Sequence, residues 1–97
     1  MADILSTEQL HAAMAEHPHW EVREGMLVRS VQADSFPAGI RLVDAVAERA
    51  EADQHHPDID IRWTTVTFAL TTHSEGGITQ NDVSMAAAID ELIETTG

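Results

Sequence analysis

The sequence predicts an α+β fold, a four-stranded antiparallel sheet with three helices on one face. Two observations carry that prediction. Apolar residues recur at helical spacing in three stretches and alternate with polar residues in two stretches between them, giving the order α-β-β-α-β-β-α. Breakers at Pro18, Gly25, Pro57 and Gly76-Gly77 fall at the joints between these stretches. Both strand pairs are short and close in sequence, so hairpins suffice and nothing asks for a parallel sheet.

The first helix spans about 6 to 16. Ser6 stands three residues before Gln9 in a capping-box pattern, and Leu10, Ala13 and Met14 follow at helical spacing until Pro18. Trp20-Glu21-Val22-Arg23 and Met26-Leu27-Val28-Arg29-Ser30-Val31 read as strands around a turn at Glu24-Gly25. Asp34 or Ser35 caps a second helix over about 36 to 53, with Pro37 tolerated in its first turn. Phe36, Ile40, Val43, Ala47 and Ala50 supply its apolar stripe.

Pro57 disfavours helical dihedrals at His56, so this helix ends at or just before His55-His56. Asp58, Asp60 and Arg62 then alternate with Ile59, Ile61 and Trp63. In the next run Val66, Phe68 and Leu70 oppose Thr65, Thr67, Ala69, Thr71 and His73, which places His73 at the exit of the fourth strand. Glu75-Gly76-Gly77 forms a loop, and Thr79 with Asp82 has the spacing of a helix cap. Met85, Ala86, Ile89, Leu92 and Ile93 give the third helix its stripe, while Ala86-Ala87-Ala88 marks either a close contact inside the domain or a face that meets a partner.

At 97 residues the chain is read as a single domain over 1–97, able to bury roughly 60 to 65% of its unfolded surface. Five Arg, no Lys and 17 acidic residues give a net charge of −12 and a pI near 4.5, which repels phosphate backbones and anionic lipid. Nucleic acid and membrane are therefore not expected as partners. The absence of cysteine excludes disulfides, thiolate nucleophiles and cysteine-type zinc sites. Without a signal-like N-terminus or a long apolar run, a soluble cytoplasmic protein is expected. Open sheet edges favour pairing across a two-fold axis, so a homo-oligomer is expected, a dimer or a tetramer.

The chemistry concentrates in the second half. His55, His56 and His73 lie among Glu51, Asp58 and Asp82, and imidazole, with an unperturbed pKa of about 6.5, is suited to proton transfer near neutral pH. Glu51 stands one helical turn before His55, where its carboxylate can hold that imidazole in one tautomer. Trp63 and Trp20 offer flat apolar surface, with burial in a small core the alternative reading. Asp82 reads first as a cap that fixes the Gly76-Gly77 loop. A metal site of these histidines with Glu51 or Asp58 is conceivable by ligand type, yet adjacent histidines ahead of a proline diverge, and no metal is expected. His11, His17 and His19 lie outside this cluster, and His17-Pro18-His19 reads as a solvated loop.

Glu51, His55-His56-Pro57, Trp63, His73 and Asp82 resemble the signature of the pterin-4a-carbinolamine dehydratases. Three residues separate Glu51 from His55, five Pro57 from Trp63, nine Trp63 from His73 and eight His73 from Asp82. The resemblance extends over about 6 to 94. It implies dehydration of a 4a-hydroxytetrahydropterin to the quinonoid dihydropterin without metal or organic cofactor, on a substrate made by aromatic amino-acid hydroxylases. It further implies His55 and His73 as acids, His56 as a pterin-binding residue that assists as base, and Glu51, Pro57, Trp63, Asp82 and Trp20 as substrate-binding or supporting residues. Gln54 stands where the family often has Asp or Asn, and Trp63 where many members have Tyr. The resemblance carries a second possibility, a non-catalytic binding, assembly or dimerisation role on the same fold.

Overall fold

The computed structural model describes residues 3–96. Its elements are α1 (Thr7–Glu16), β1 (Glu21–Arg23), β2 (Met26–Gln32), α2 (Phe36–Asp53), β3 (Asp58–Arg62), β4 (Thr65–Leu70) and α3 (Gln80–Thr96). The fold is α+β in the order that the sequence predicts. The strands lie side by side as β1-β2-β4-β3, and every neighbouring pair is antiparallel.

Local chemistry accounts for most boundaries. Ser6 and Gln9 close both halves of a capping box at α1, at 3.1 Å and 2.8 Å. Ser35 rather than Asp34 caps α2, its hydroxyl accepting from the Ala38 N–H. Glu24 and Gly25 both adopt positive φ, as the two-residue turn between β1 and β2 requires.

The register sorts the sheet into two faces. Leu27, Arg29 and Val31 stand opposite Leu70, Phe68 and Val66, and Leu27, Leu70, Phe68 and Val66 are buried with residues of α2 and α3. Ser30, Thr67 and Asp60 share a row on the other face, where Ser30 and Asp60 are exposed. Leu5, Leu10, Ala13 and Met14 pack from the α1 region onto the same core.

Two details differ from the sequence pattern. The buried stripe of α2 is Gly39, Leu42, Val46 and Ala50, whereas Phe36 is 48% exposed and Ala47 is exposed. Gly39 itself lies on the buried face, where a Cβ would stand 3.4 Å from Val66 Cγ2 and 3.5 Å from Ala33 Cβ. An apolar-residue count gives Gly39 no weight and selects the neighbouring stripe. The third strand also stops at Arg62. Trp63 adopts φ 52 in the two-residue turn to β4 and is 79% exposed. In α3, Ala86 and Ala88 are buried and Ala87 is exposed, so the alanine run serves a contact inside the domain. No helix among the described residues is long and apolar enough to cross a membrane.

Candidate active site

The C-terminus of α2 divides the histidine pair. Gln54 caps the helix in the left-handed conformation, φ 52 and ψ 41, and the His55 N–H reaches back to the Ala50 carbonyl at 3.1 Å, a closure of Schellman type. Pro57 then commits the chain to β3. Reversal at Gln54 gives the two imidazoles different partners.

His55 Nε2 lies 2.5 Å from Asp82 Oδ1, with the His55 side chain 15% exposed and that of Asp82 fully buried. His56 Nε2 lies 2.7 Å from Glu51 Oε2, and both of those side chains are more than half exposed. The helical spacing of Glu51 and His55 suggested that Glu51 orients His55. The structure assigns Glu51 to His56 and Asp82 to His55, because the left-handed cap swings His55 away from the α2 surface and towards the start of α3.

Asp82 is held from three sides. Its Oδ2 accepts from the Thr79 N–H at 2.8 Å and from the Thr72 hydroxyl at 2.9 Å, leaving Oδ1 for His55. The cap reading of Thr79 and Asp82 therefore holds, and the same carboxylate spends its second oxygen on the histidine. Burying a carboxylate is costly unless donors replace its water, and these three contacts do so.

His73 sits next to this cluster. The β4 ladder ends at Leu70, and Thr72 forms an isolated bridge with Gly77. The Thr72 carbonyl accepts from the N–H groups of Glu75 and Gly76, both at 3.0 Å, which turns the loop tightly through His73. Gly76 takes φ 75 there, a conformation that favours glycine. The His73 side chain is exposed. His55, His56, Pro57 and His73 thus gather at one end of the sheet, because β3 begins where β4 finishes: Asp58 pairs with Ala69.

Beside His55 opens a cleft of about 310 Å³ lined by Asp53, Gln54, His55, Asn81, Ser84 and Met85. That volume lies at the lower end of small-molecule sites, near 300 Å³, and suits a compact ring system. The lining is mostly polar, Asn81 and Ser84 coming from the first turns of α3. Asp82 engages Nε2, so Nδ1 is the His55 nitrogen left for the cleft.

The tryptophans lie elsewhere. Trp63 follows the far end of β3, about 16 Å from Asp58 at the rise of an extended strand, so within one chain it is remote from His55. Trp20 is 4% exposed, and its indole N–H donates to Asp90 Oδ1 at 2.7 Å. Arg29 pairs with the same carboxylate, and His17 Nδ1 approaches it at 3.8 Å. Trp20 is thus a core residue with a polar tether. Among the described residues no three His, Asp or Glu side chains converge as a metal site.

Sequence reading missed Thr72 and undervalued Thr79. The one available signal was that Thr72 precedes His73 and breaks the alternation of β4, since its side chain faces inward where a polar residue is unexpected.

Comparisons with known proteins bear on this geometry. The family model described as pterin 4 alpha carbinolamine dehydratase matches residues 3–92. A protein of Mycobacterium sp. (strain JLS), provisionally named a pterin-4-alpha-carbinolamine dehydratase, is 56% identical over 91 residues, covering 94% of this chain and 97% of its own. A similarly named protein of Nocardia farcinica (strain IFM 10152) is 56% identical over 90 residues, covering 93% and 95%. The crystal structure of a transcriptional coactivator/pterin dehydratase from Brucella melitensis superposes with a TM-score of 0.89 at 25% identity, covering 93% of this chain and 98% of that one. A pterin dehydratase-like protein identified as a RuBisCO assembly factor in the alpha-carboxysome shares the fold, with a TM-score of 0.62 at 24% identity over 75% of this chain and 84% of its own.

Proposed function

This chain belongs to the pterin-4a-carbinolamine dehydratase family, and from that premise we propose that it dehydrates a 4a-hydroxytetrahydropterin to the quinonoid dihydropterin by histidine acid-base catalysis, in the recycling of tetrahydrobiopterin. The observation that carries the reading is the contact between His55 Nε2 and the buried Asp82, which leaves the other ring nitrogen of a cleft-lining histidine uncommitted.

The reaction needs one proton delivered and one removed. An acid protonates the C4a hydroxyl, the C4a–O bond breaks and water departs, and a base takes the N5 proton as the C4a–N5 double bond forms. Atoms balance with no redox change. His55 follows α2 and His73 follows β4, at one end of the sheet, and in this reading they serve as acids for a hydroxyl leaving from either face of the pterin. His56, paired with Glu51 in solvent, binds the pterin and assists as base. A positioned general acid or base contributes about 10²- to 10⁴-fold.

The test is the decay of carbinolamine absorbance, the substrate being generated in situ by a phenylalanine hydroxylase. Wild type, His55→Ala and His73→Ala are compared, each with and without prior treatment by a chelator. Acceleration that survives chelation and falls in both variants supports the reading. No acceleration by the wild type overturns it in favour of a binding or assembly role, and activity lost on chelation replaces it with a metal-dependent one.

Assembly belongs to the same proposal. β3 is an edge strand, and antiparallel pairing with its own copy about Asp60 sets Asp58 against Arg62 and Ile59 against Ile61 of the copy. The exposed side chains of Phe36, Ile61 and Trp63 are the apolar surface that a homo-oligomer would cover.

A further inference from the structure

We propose that Thr72 and Thr79 are positioning residues that fix the tautomer of His55 through Asp82, so that His55 exchanges its proton with substrate only at Nδ1. Asp82 Oδ2 accepts the Thr72 hydroxyl at 2.9 Å and the Thr79 N–H at 2.8 Å. The two hydroxyl oxygens of Thr72 and Thr79 lie 2.8 Å apart. Each hydroxyl has one proton. The Thr72 proton is committed to the carboxylate, so the contact between the hydroxyls is made by the Thr79 proton. Thr79 Oγ1 in turn accepts from the Asn81 N–H at 3.2 Å. Donation therefore runs one way, from Asn81 through Thr79 and Thr72 into Asp82.

The direction has a consequence at the other oxygen. With Oδ2 engaged by two donors, the ionised carboxylate has only lone pairs to offer at Oδ1 and there it can only accept. His55 Nε2 must then carry a proton in the neutral ring as well as in the charged one. Its lone pair is on Nδ1, the nitrogen that Asp82 leaves uncommitted. The same residue ties the second histidine to the first: the Thr72 side chain supports Asp82 behind His55, while its carbonyl anchors the loop that carries His73. All of Thr72, Thr79 and Asp82 are buried, so water does not compete for these contacts.

The kinetic consequence rests on the dehydratase reading; the tautomer does not. The first arm is therefore ¹⁵N NMR of the histidine side chains in wild type at about pH 8, where an ordinary imidazole is neutral, with His55 assigned by its loss in His55→Gln. The expected spectrum has His55 protonated at Nε2 and bare at Nδ1, and a ring protonated at Nδ1 would overturn the proposal. The second arm is kinetic. Loss of a hydrogen bond to a charged group makes Thr72→Val lower kcat about tenfold to a hundredfold with KM within about twofold, while Thr72→Ser, which keeps the hydroxyl, stays within about threefold of wild type. A Thr72→Val protein with wild-type kcat would overturn the positioning role. A wild type that fails to dehydrate the carbinolamine yet shows the Nε2-protonated ring would sink the enzymatic reading alone and support the hydrogen-bond assignment.

Discussion

His55 and Asp82, 27 residues apart, meet at 2.5 Å between Nε2 and Oδ1. The pair joins the end of α2 to the start of α3 and makes one carboxylate both a helix cap and the support of an imidazole. Its predicted weight in function follows from burial, since a fully buried carboxylate and a nearly buried ring are not screened by water.

Asp82→Asn reverses the polarity of that contact. The amide can donate to His55 Nε2, which moves the ring proton to Nδ1 and presents the wrong nitrogen to the cleft. Carbinolamine dehydration is expected to fall by about 10²-fold or more, within the range for a misassigned acid or base. Asp82→Ala adds a folding defect of about 3 kcal/mol, since His55 and Thr72 lose their partner. Steady-state kinetics and urea unfolding of the two variants separate the effects.

Glu51→Gln should leave stability nearly unchanged. The Glu51 and His56 side chains are 74% and 58% exposed, and exposed pairs contribute at most about 1 kcal/mol. Thermal unfolding is expected to match wild type within the equivalent of about 0.5 kcal/mol. A larger loss would mean that the pair is covered in the assembled protein.

Gly39 is a site of graded tolerance. Its added Cβ would meet Val66 and Ala33 at ordinary van der Waals distance, so Gly39→Ala should be neutral or stabilising by up to about 1 kcal/mol through helix propensity. Gly39→Leu overfills the contact between α2 and β4 and should cost about 1–3 kcal/mol. Denaturant midpoints of both variants check the order.

Ile61→Lys tests the sheet edge. Ile61 is 39% exposed on β3, and a lysine there places like charges near the two-fold axis of a β3–β3 pair. Sedimentation is expected to show a lighter species than wild type with unchanged far-ultraviolet circular dichroism. An unchanged sedimentation coefficient would remove β3 from the interface.

Much of this architecture was readable from short stretches of sequence. Ser6 and Gln9 act within one helical turn, Ser35 within three residues and Pro57 on the residue before it, so helix limits and the order of elements along the chain followed from steric and hydrogen-bond rules of that range. The periods of the strand pairs did the same for the sheet. The rotation of α2 was not readable, because Gly39, which lies on its buried face, has no side chain to count. Trp63 was assigned to the third strand because alternation continues through it, whereas the turn to β4 claims it.

By itself, then, the sequence determined the α+β order, the limits of the helices and the set of histidines and carboxylates in which to seek chemistry, because each depends on contacts a few residues apart. Tertiary structure decided the partners. Glu51 stands one helical turn before His55 along the chain, yet the left-handed cap at Gln54 and the packing of α3 beside α2 bring Asp82 to it. The antiparallel register brings His73 to the same end of the sheet and sends Trp63 to the other. Such pairings arise from how buried faces fit together, and no local rule encodes them.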